Sequence, residues 1–198
     1  GTVGRRIVDQ AIAKGHEVTA FARNAASVEQ DRHRLTVFEG DVLNDEDVRN
    51  AVIQHDVVIV ALGAGRKGAV RSVGTQNVVE AMQHHGIRRI IVQSTLGAGD
   101  SWQALNFVWK RIMFGLLLRP AFADHQRQEE IVKASGLDWT SVRPSAFTDG
   151  PVTDRYLHGF APSIKGLSLK ISRADVASFI VRQLTDQPYL GRAASISN

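Results

Sequence analysis

Apolar and polar positions along the chain follow two periods, one helical and one extended, and the switches between them mark out the elements. Over 4–14, Ile7, Val8, Ala11 and Ile12 share one helical face, and Gly15 stops the helix. "HEVTAFA" at 16–22 and "RLTVFEG" at 34–40 read as strands. A helix over 44–54 starts from Asn44 as its N-cap, with Asp47 placed to reach back as in a capping box. The unbroken apolar run "DVVIVALGA" at 56–64 has the pattern of a strand buried on both faces. A helix over 69–85 turns Val73, Val78, Ala81 and Met82 inward and stops at Gly86. "RRIIVQST" at 88–95 is a further buried strand. Helical stretches over 102–118 and 121–135 are separated by Pro120, and "DWTSVRP" at 138–144 is again a strand. Short extended pieces near 152–157 and 165–171, a helix over 174–185 and a strand near 193–197 complete the pattern.

Strands alternating with helices predict a parallel sheet covered on both faces, and right-handed crossovers make it doubly wound. The expected fold class is therefore α/β, a Rossmann-like open sheet in one domain over 1–198, with a small substrate-side region from about 145 to 198. The opening glycines belong after a strand lying mid-sheet, between those at 16–22 and 56–62. The expectation is that about ten residues, an apolar strand closing with glycine, precede Gly1.

Composition narrows the reading further. With 198 residues, 43% hydrophobic and 22% charged, the chain suits a globular domain with a sizeable core. The sequence has no cysteine, which excludes disulfides and thiolate metal sites and fits a reducing, cytoplasmic compartment. A net charge of +4 is spread over short groups beside expected turns: Arg32 with Arg34, Arg66 with Lys67, Arg88 with Arg89. A nucleic-acid surface concentrates such charge on one face, so no nucleic-acid partner is expected. The most apolar stretch, "LNFVWKRIMFGLLL", is cut by Lys110 and Arg111 and is too short for a bilayer, so no membrane partner is expected either. A monomer or homodimer with a small-molecule partner is the expectation. No metal-ligand cluster is evident, and the tandem His84-His85 falls at a helix end, where it suits terminal carbonyls.

The chemistry starts at "GTVGRRIVDQ". A glycine turn opening a helix lets backbone N–H groups approach a pyrophosphate, which a side chain would hold away. Gly1, Thr2, Val3 and Gly4 fit the second half of a G-x-x-G-x-x-G fingerprint. About 20 residues on, where NAD enzymes place a carboxylate for the ribose 2′-OH, stands Arg23. Arginine pairs with a 2′-phosphate, so NADP(H) is expected in preference to NAD(H); an ordinary solvated strand end is the plainer reading. Ligands of such sheets sit outside the carboxyl ends of the strands. That places Asp41 and Val42 by the adenine, Leu62, Gly63 and Ala64 along the cofactor, and Ser94 and Thr95 beside the nicotinamide ribose.

The segments "GTVGRRIVDQAIAKGHEVTAFARN", "GDVLNDEDV", "VIVALGAG", "VGTQNVVEAMQHHGIRRIIVQST" and "SGLDWTSVRPSAFTDGP" cover most of the chain. Through them it resembles the atypical short-chain dehydrogenase/reductases, in particular the NAD(P)H-binding group of NmrA-like proteins and the flavin reductase/biliverdin-IXβ reductase type. In that group the loop after the "RP" strand closes over the nicotinamide, which implicates Arg143, Pro144, Ser145, Ala146 and Phe147. The wider superfamily uses Tyr-x-x-x-Lys, but only Tyr156 and Tyr189 occur here and neither has lysine four residues on. Two pairs stand in a comparable relation: Asn106 four before Lys110, and His125 four before Glu129. Relatives carry K-x-x-x-E at the second, so His125 stands in the place of that lysine. The spacing puts His125 and Glu129 on one helix face, where the carboxylate favours imidazolium. Such a histidine could donate a proton or hold the cofactor, although a surface His–Glu pair has the same spacing. The candidate catalytic residues are His125, Ser94, Thr95 and Lys110.

The resemblance implies an NADPH-dependent reductase passing hydride to a planar acceptor such as a flavin, quinone or linear tetrapyrrole. Trp102, Phe107, Trp109, Met113 and Phe114 could line an acceptor pocket, or form ordinary core or a dimer face. The lack of an evident acid–base residue fits instead a non-catalytic NADP(H) sensor of NmrA-like type. A sugar-nucleotide epimerase is a third reading, weakened by the absent Tyr–Lys pair.

Overall fold

The computed structural model describes residues 1–28, 32–63 and 69–198. Gly1 caps α1 (Thr2–Ala13), which buries Val3, Ile7 and Ala11 along one face. Gly15, at φ +88°, then turns the chain into β1 (Val18–Ala22), which pairs in parallel with β2 (Leu35–Glu39). The remaining elements follow in order: α2 (Asp45–Val52), β3 (Val57–Val60), α3 (Val70–His84), β4 (Arg89–Gln93), α4 (Arg119–Ala134) and β5 (Asp138–Pro144). The chain closes with β6 (Ala146–Thr148), β7 (Leu157–His158), β8 (Lys170–Ser172), α5 (Arg173–Arg182) and β9 (Arg192–Ser197).

The main sheet has the order β3-β4-β5-β9-β7, parallel except for β7 at the edge, and β6 pairs with β8 separately. Alternation along the strands feeds two cores. Ile91, Val142, Ala194 and Ile196 face α1 and α5, while Ile90 and Val92 face α2, α3 and α4. This is the expected doubly wound α/β architecture. β1 and β2 form a pair of their own, sharing no hydrogen bond with β3, and the layer is interrupted there. Both edges nonetheless serve the same cores, β1 through Val18 and Phe21 and β3 through Val57, Ile59 and Val58.

Several elements differ from the periodic reading. β3 is only half-buried at three of its four residues, not buried on both faces, because its edge lacks a neighbour; β4, with a strand on either side, is buried throughout. Val73 is 45% exposed, since the inward face of α3 runs through 71, 74, 75, 78 and 82. Asn44 does cap α2, its Oδ1 accepting from the Glu46 N–H, but Asp47 reaches past it to the Asp41 N–H at 2.8 Å. Pro120 does not separate two helices: it lies in the first turn of α4, where no N–H is required of it. The 102–118 stretch is not one helix but a 3-10 turn, Gly99–Ala104, and a π-helical segment, Trp109–Leu117. Gly115 permits that wide turn, since a Cβ there would come within 3.0 Å of the Lys110 carbonyl oxygen. His84 and His85 stack edge to face on each other, 4.9 Å between centroids, in place of the expected carbonyl contacts.

Among the described residues, no helix is long and apolar enough to cross a membrane, and no cluster of three or more His, Asp or Glu could hold a metal ion.

Candidate active site

A cavity of about 250 Å³ opens at the carboxyl ends of β4 and β5. Gln93, Ser94 and Thr95 come from the end of β4, Pro144 to Phe147 from the end of β5, and Leu62 and Gly63 from just beyond β3. The opposite wall is a third apolar cluster, in which Phe114 stacks on Phe122 at 4.4 Å and Trp109 leans on Phe114 at 5.4 Å. α1 packs Val3, Ile7 and Ala11 into the same core as Ile91 of β4 and Val142 of β5. Its first turn has no side-chain cap and no acidic residue, which leaves its leading N–H groups able to meet an anion. Among the described residues, a Cβ at Gly1, Gly4 or Gly63 would meet nothing within 4 Å.

Polar groups in the cavity lack partners. Gln93 Oε1, Ser94 Oγ and Ser145 Oγ are buried without a hydrogen bond among the described residues, as a site awaiting a polar ligand would leave them. Ser94 does lie near enough to Glu129 to help hold that carboxylate ionised. Arg23 is exposed just after β1, and Asp41 accepts from the Leu43 N–H at 3.0 Å. Val42 is buried, and its carbonyl accepts from Asn77 Nδ2 at 2.9 Å. Ala64, Arg66 and Lys67 lie outside the described residues.

His125 reaches the cavity from α4, but not as an imidazolium paired with Glu129. Burial, reinforced by the charge of Arg71, lowers its pKa to about 4, so the ring is neutral at physiological pH. Its Nδ1 lies 3.3 Å from Gln128 Oε1, and Gln128 in turn donates to Thr75 Oγ1 at 2.9 Å. Glu129 points instead at β5. Arg143 donates to it twice, at 2.8 and 2.7 Å, and Ser141 Oγ donates at 2.9 Å. Although burial raises the Glu129 pKa, Arg143 and Lys133 outweigh it and bring it to about 2. Arg143 also pairs with Asp100, so it is a buried strut behind Pro144 and not part of the cavity wall. Gly99 makes room for it, since a Cβ there would stand 2.5 Å from the Arg143 Nη2.

The structure therefore brings Ser94, Thr95, His125, Gly63, Leu62 and the Pro144–Phe147 loop together. It leaves Lys110 in a separate depression with Trp102, Arg111 and Gly115. Asn106 does not act with it, because its Oδ1 accepts from the Trp109 N–H to start the π-helical segment. Of the five residues expected around an acceptor, Trp109 and Phe114 line the cavity, Trp102 packs behind them, Met113 is half-buried outside the lining, and Phe107 is 71% exposed. Tyr156 and Tyr189 lie against the α1–α5 core, outside the cavity lining. Burial raises the Tyr156 pKa to about 12, and Tyr189 bonds to His158 at 2.7 Å. Arg71, Gln93, Leu118, Phe122 and Leu169 were not foreseen. Arg71 was detectable, because 71, 75, 78 and 82 form one helical row, and an arginine in a buried row is out of place.

Comparison with known proteins agrees with this geometry. Residues 1–187 match the model of a family described as NAD(P)H-binding. An uncharacterized chloroplastic protein of Arabidopsis thaliana is 30% identical over 167 residues, 77% of this chain and 58% of that protein. The chain thus spans less than two thirds of that relative's length. A UPF0659 protein of Saccharomyces cerevisiae is 28% identical over 93% of this chain and 83% of its own length. Among solved structures, ChuY, described as an anaerobillin reductase of Escherichia coli O157:H7, superposes with a TM-score of 0.81 and 26% identity, covering 98% of this chain and 91% of ChuY. A short-chain dehydrogenase/reductase of Veillonella parvula in complex with NADP reaches a TM-score of 0.84 at 19% identity, covering 100% of this chain and 90% of its own, a likeness of fold.

Proposed function

Because the chain belongs to the NAD(P)H-binding family, we propose that it is an oxidoreductase using NADPH to reduce a planar acceptor such as a flavin, a quinone or a linear tetrapyrrole. The observation that carries this reading is the two-sided cavity: buried Ser94 and Ser145 on the strand ends, the Ser145 hydroxyl without a hydrogen bond among the described residues, face a wall of Trp109, Phe114 and Phe122. The open glycines of α1 would admit the pyrophosphate, Arg23 the 2′-phosphate, Val42 and Leu62 the adenine side, and Ser94, Thr95 and the Pro144–Phe147 loop the nicotinamide end. The bound dinucleotide supplies the hydride. The chain's own residues position the partners and exclude water, and such chemistry asks for alignment more than for a strong acid. The likeness to an anaerobillin reductase supports the tetrapyrrole among these acceptors.

One observation favours a second reading. Among the described residues, the histidine at the cavity is neutral and no tyrosine lines it, so none of them titrates near neutrality as a proton donor. A sensor that binds NADP(H) without turnover would need none. The two readings separate in one experiment: follow NADPH absorbance with FMN, a naphthoquinone and biliverdin, and measure binding of NADPH and NADP⁺ in parallel. Turnover supports the reductase, and tight redox-selective binding without turnover supports the sensor. Arg23→Ala should weaken NADPH by about ten- to a hundredfold while sparing NADH. Equal losses would remove the basis for NADPH preference.

A further inference from the structure

Arg71 is 7% exposed and lines the cavity together with His125 and Ser94. Its Nε and Nη1 are buried without a hydrogen bond among the described residues. Its nearest anion, Asp124, stands 3.6 Å from Nη1, beyond hydrogen-bond reach. That carboxylate is already occupied. It accepts from the Arg71 and Ser72 N–H groups at 3.0 Å each and from Ser72 Oγ at 2.6 Å, capping α3 from α4 in place of the absent side-chain cap. Asp124 therefore balances part of the charge on Arg71 while Nε and Nη1 make no hydrogen bond among the described residues. Nε and Nη1 are thus dehydrated without a hydrogen bond, offset only by the ion pair with Asp124. Burial accordingly lowers the Arg71 pKa. A planar fork of donors facing a cavity is matched by a carboxylate or phosphate, which accepts two parallel hydrogen bonds.

We infer that Arg71 is the anion-recognition residue of this cavity, seating either a carboxylate carried by the acceptor or a phosphate of the dinucleotide. The inference rests on the reading of the cavity as the site of reduction and adds a chemical requirement to it: the bound molecule presents an anionic oxygen group at the α3 end of the pocket. Neutral His125 fits beside such a cation, and the aromatic wall holds the apolar body of the ligand.

The test compares wild type with Arg71→Met, which keeps an unbranched apolar stem and removes the guanidinium with its charge. Binding is read by tryptophan fluorescence for NADPH and, with NADP⁺ saturating, for a naphthoquinone bearing a carboxylate and for its methyl ester. A loss of about ten- to a hundredfold for the carboxylate, with ester and NADPH unchanged, supports recognition of the acceptor. The same loss for NADPH, with both quinones unchanged, supports recognition of the dinucleotide. Equal loss for carboxylate and ester marks a packing role and overturns the inference, as do wild-type affinities for all three probes. Should Arg71→Met not fold, Arg71→Lys decides: it preserves the charge beside Asp124 but lacks the planar fork. A several-fold loss confined to one anionic probe supports the inference, and wild-type binding or a uniform loss overturns it. Wild type that binds no dinucleotide defeats the proposed function as well, whereas wild type that binds dinucleotide while all three probes are indifferent to residue 71 defeats this inference alone.

Discussion

Glu129→Gln probes the strut on which the loop over the cavity is mounted. Glu129 and Arg143 have side-chain exposures of 2% and 4%, so solvent screens their interaction little. The variant removes one charge and leaves the Arg143 guanidinium buried, with the exposed Asp100 as its remaining anion. Breaking a buried pair costs about 3–5 kcal/mol, and Asp100 should hold the loss near about 3 kcal/mol. An independent figure comes from pH. The wild-type carboxylate titrates at about 2 against 4.5 for the unperturbed group, which at ~1.4 kcal/mol per pH unit corresponds to about 3 kcal/mol. A folded-state pKa below the unfolded value means that this contribution is complete above pH 4.5 and disappears as pH falls toward 2. Urea unfolding at pH 7 should thus show a midpoint lower in the variant by about 1–2 M. Repeated between pH 5 and 2.5, it should show the variant's deficit shrinking with pH. A deficit under about 1 kcal/mol at pH 7, or one that does not change with pH, would refute the account of Glu129 as the ionised partner of Arg143.

Two further outcomes follow from the packing and titration of the site. The His125 pKa of about 4 lies below the unperturbed 6.5, so its contribution to stability is full above pH 6.5 and is lost as pH falls toward 4. His125→Gln should therefore flatten the stability profile over that interval and leave the pH dependence of NADPH oxidation between pH 6 and 8 unchanged; an inflection near 6.5 that the variant abolishes would contradict the neutral ring. Gly74→Ala would drive a Cβ to 2.8 Å from both Val42 methyls and 3.0 Å from Leu62 Cδ1, displacing the two side chains proposed for the adenine side. Melting and NADPH titration should show a loss of about 1–3 kcal/mol in stability together with weaker binding, and an unaltered melting temperature would show that α3 can withdraw at no cost.

The sheet strands and flanking helices were legible because each repeats a local period, and burial of one face depends on that period alone. The strand Asp138–Pro144, the N-cap at Asn44 and the positive-φ glycines Gly15 and Gly86 are read from neighbouring residues. So is the glycine opening of α1, with Gly1 directly ahead of the helix. The candidate site was legible in part: Ser94, Thr95, Gly63 and the loop after Pro144 lie at strand ends, where any parallel sheet gathers its ligands.

Spacing along one helix misjudged Glu129, because the choice between His125 and Arg143 depends on which element α4 packs against. The same holds for Arg71, whose isolation follows from Asp124 spending its oxygens on the α3 N-terminus, fifty-odd positions away in the chain. The wide turn of Trp109–Leu117, which carries Trp109 to the cavity and leaves Phe107 and Lys110 outside its lining, likewise has no local period to announce it. Period and turn chemistry are properties of adjacent residues, and the sequence by itself determined those. The partner of each buried charge is an outcome of long-range packing, where desolvation makes an ion take whatever opposite charge or donor the fold sets beside it, and only the tertiary structure decided that.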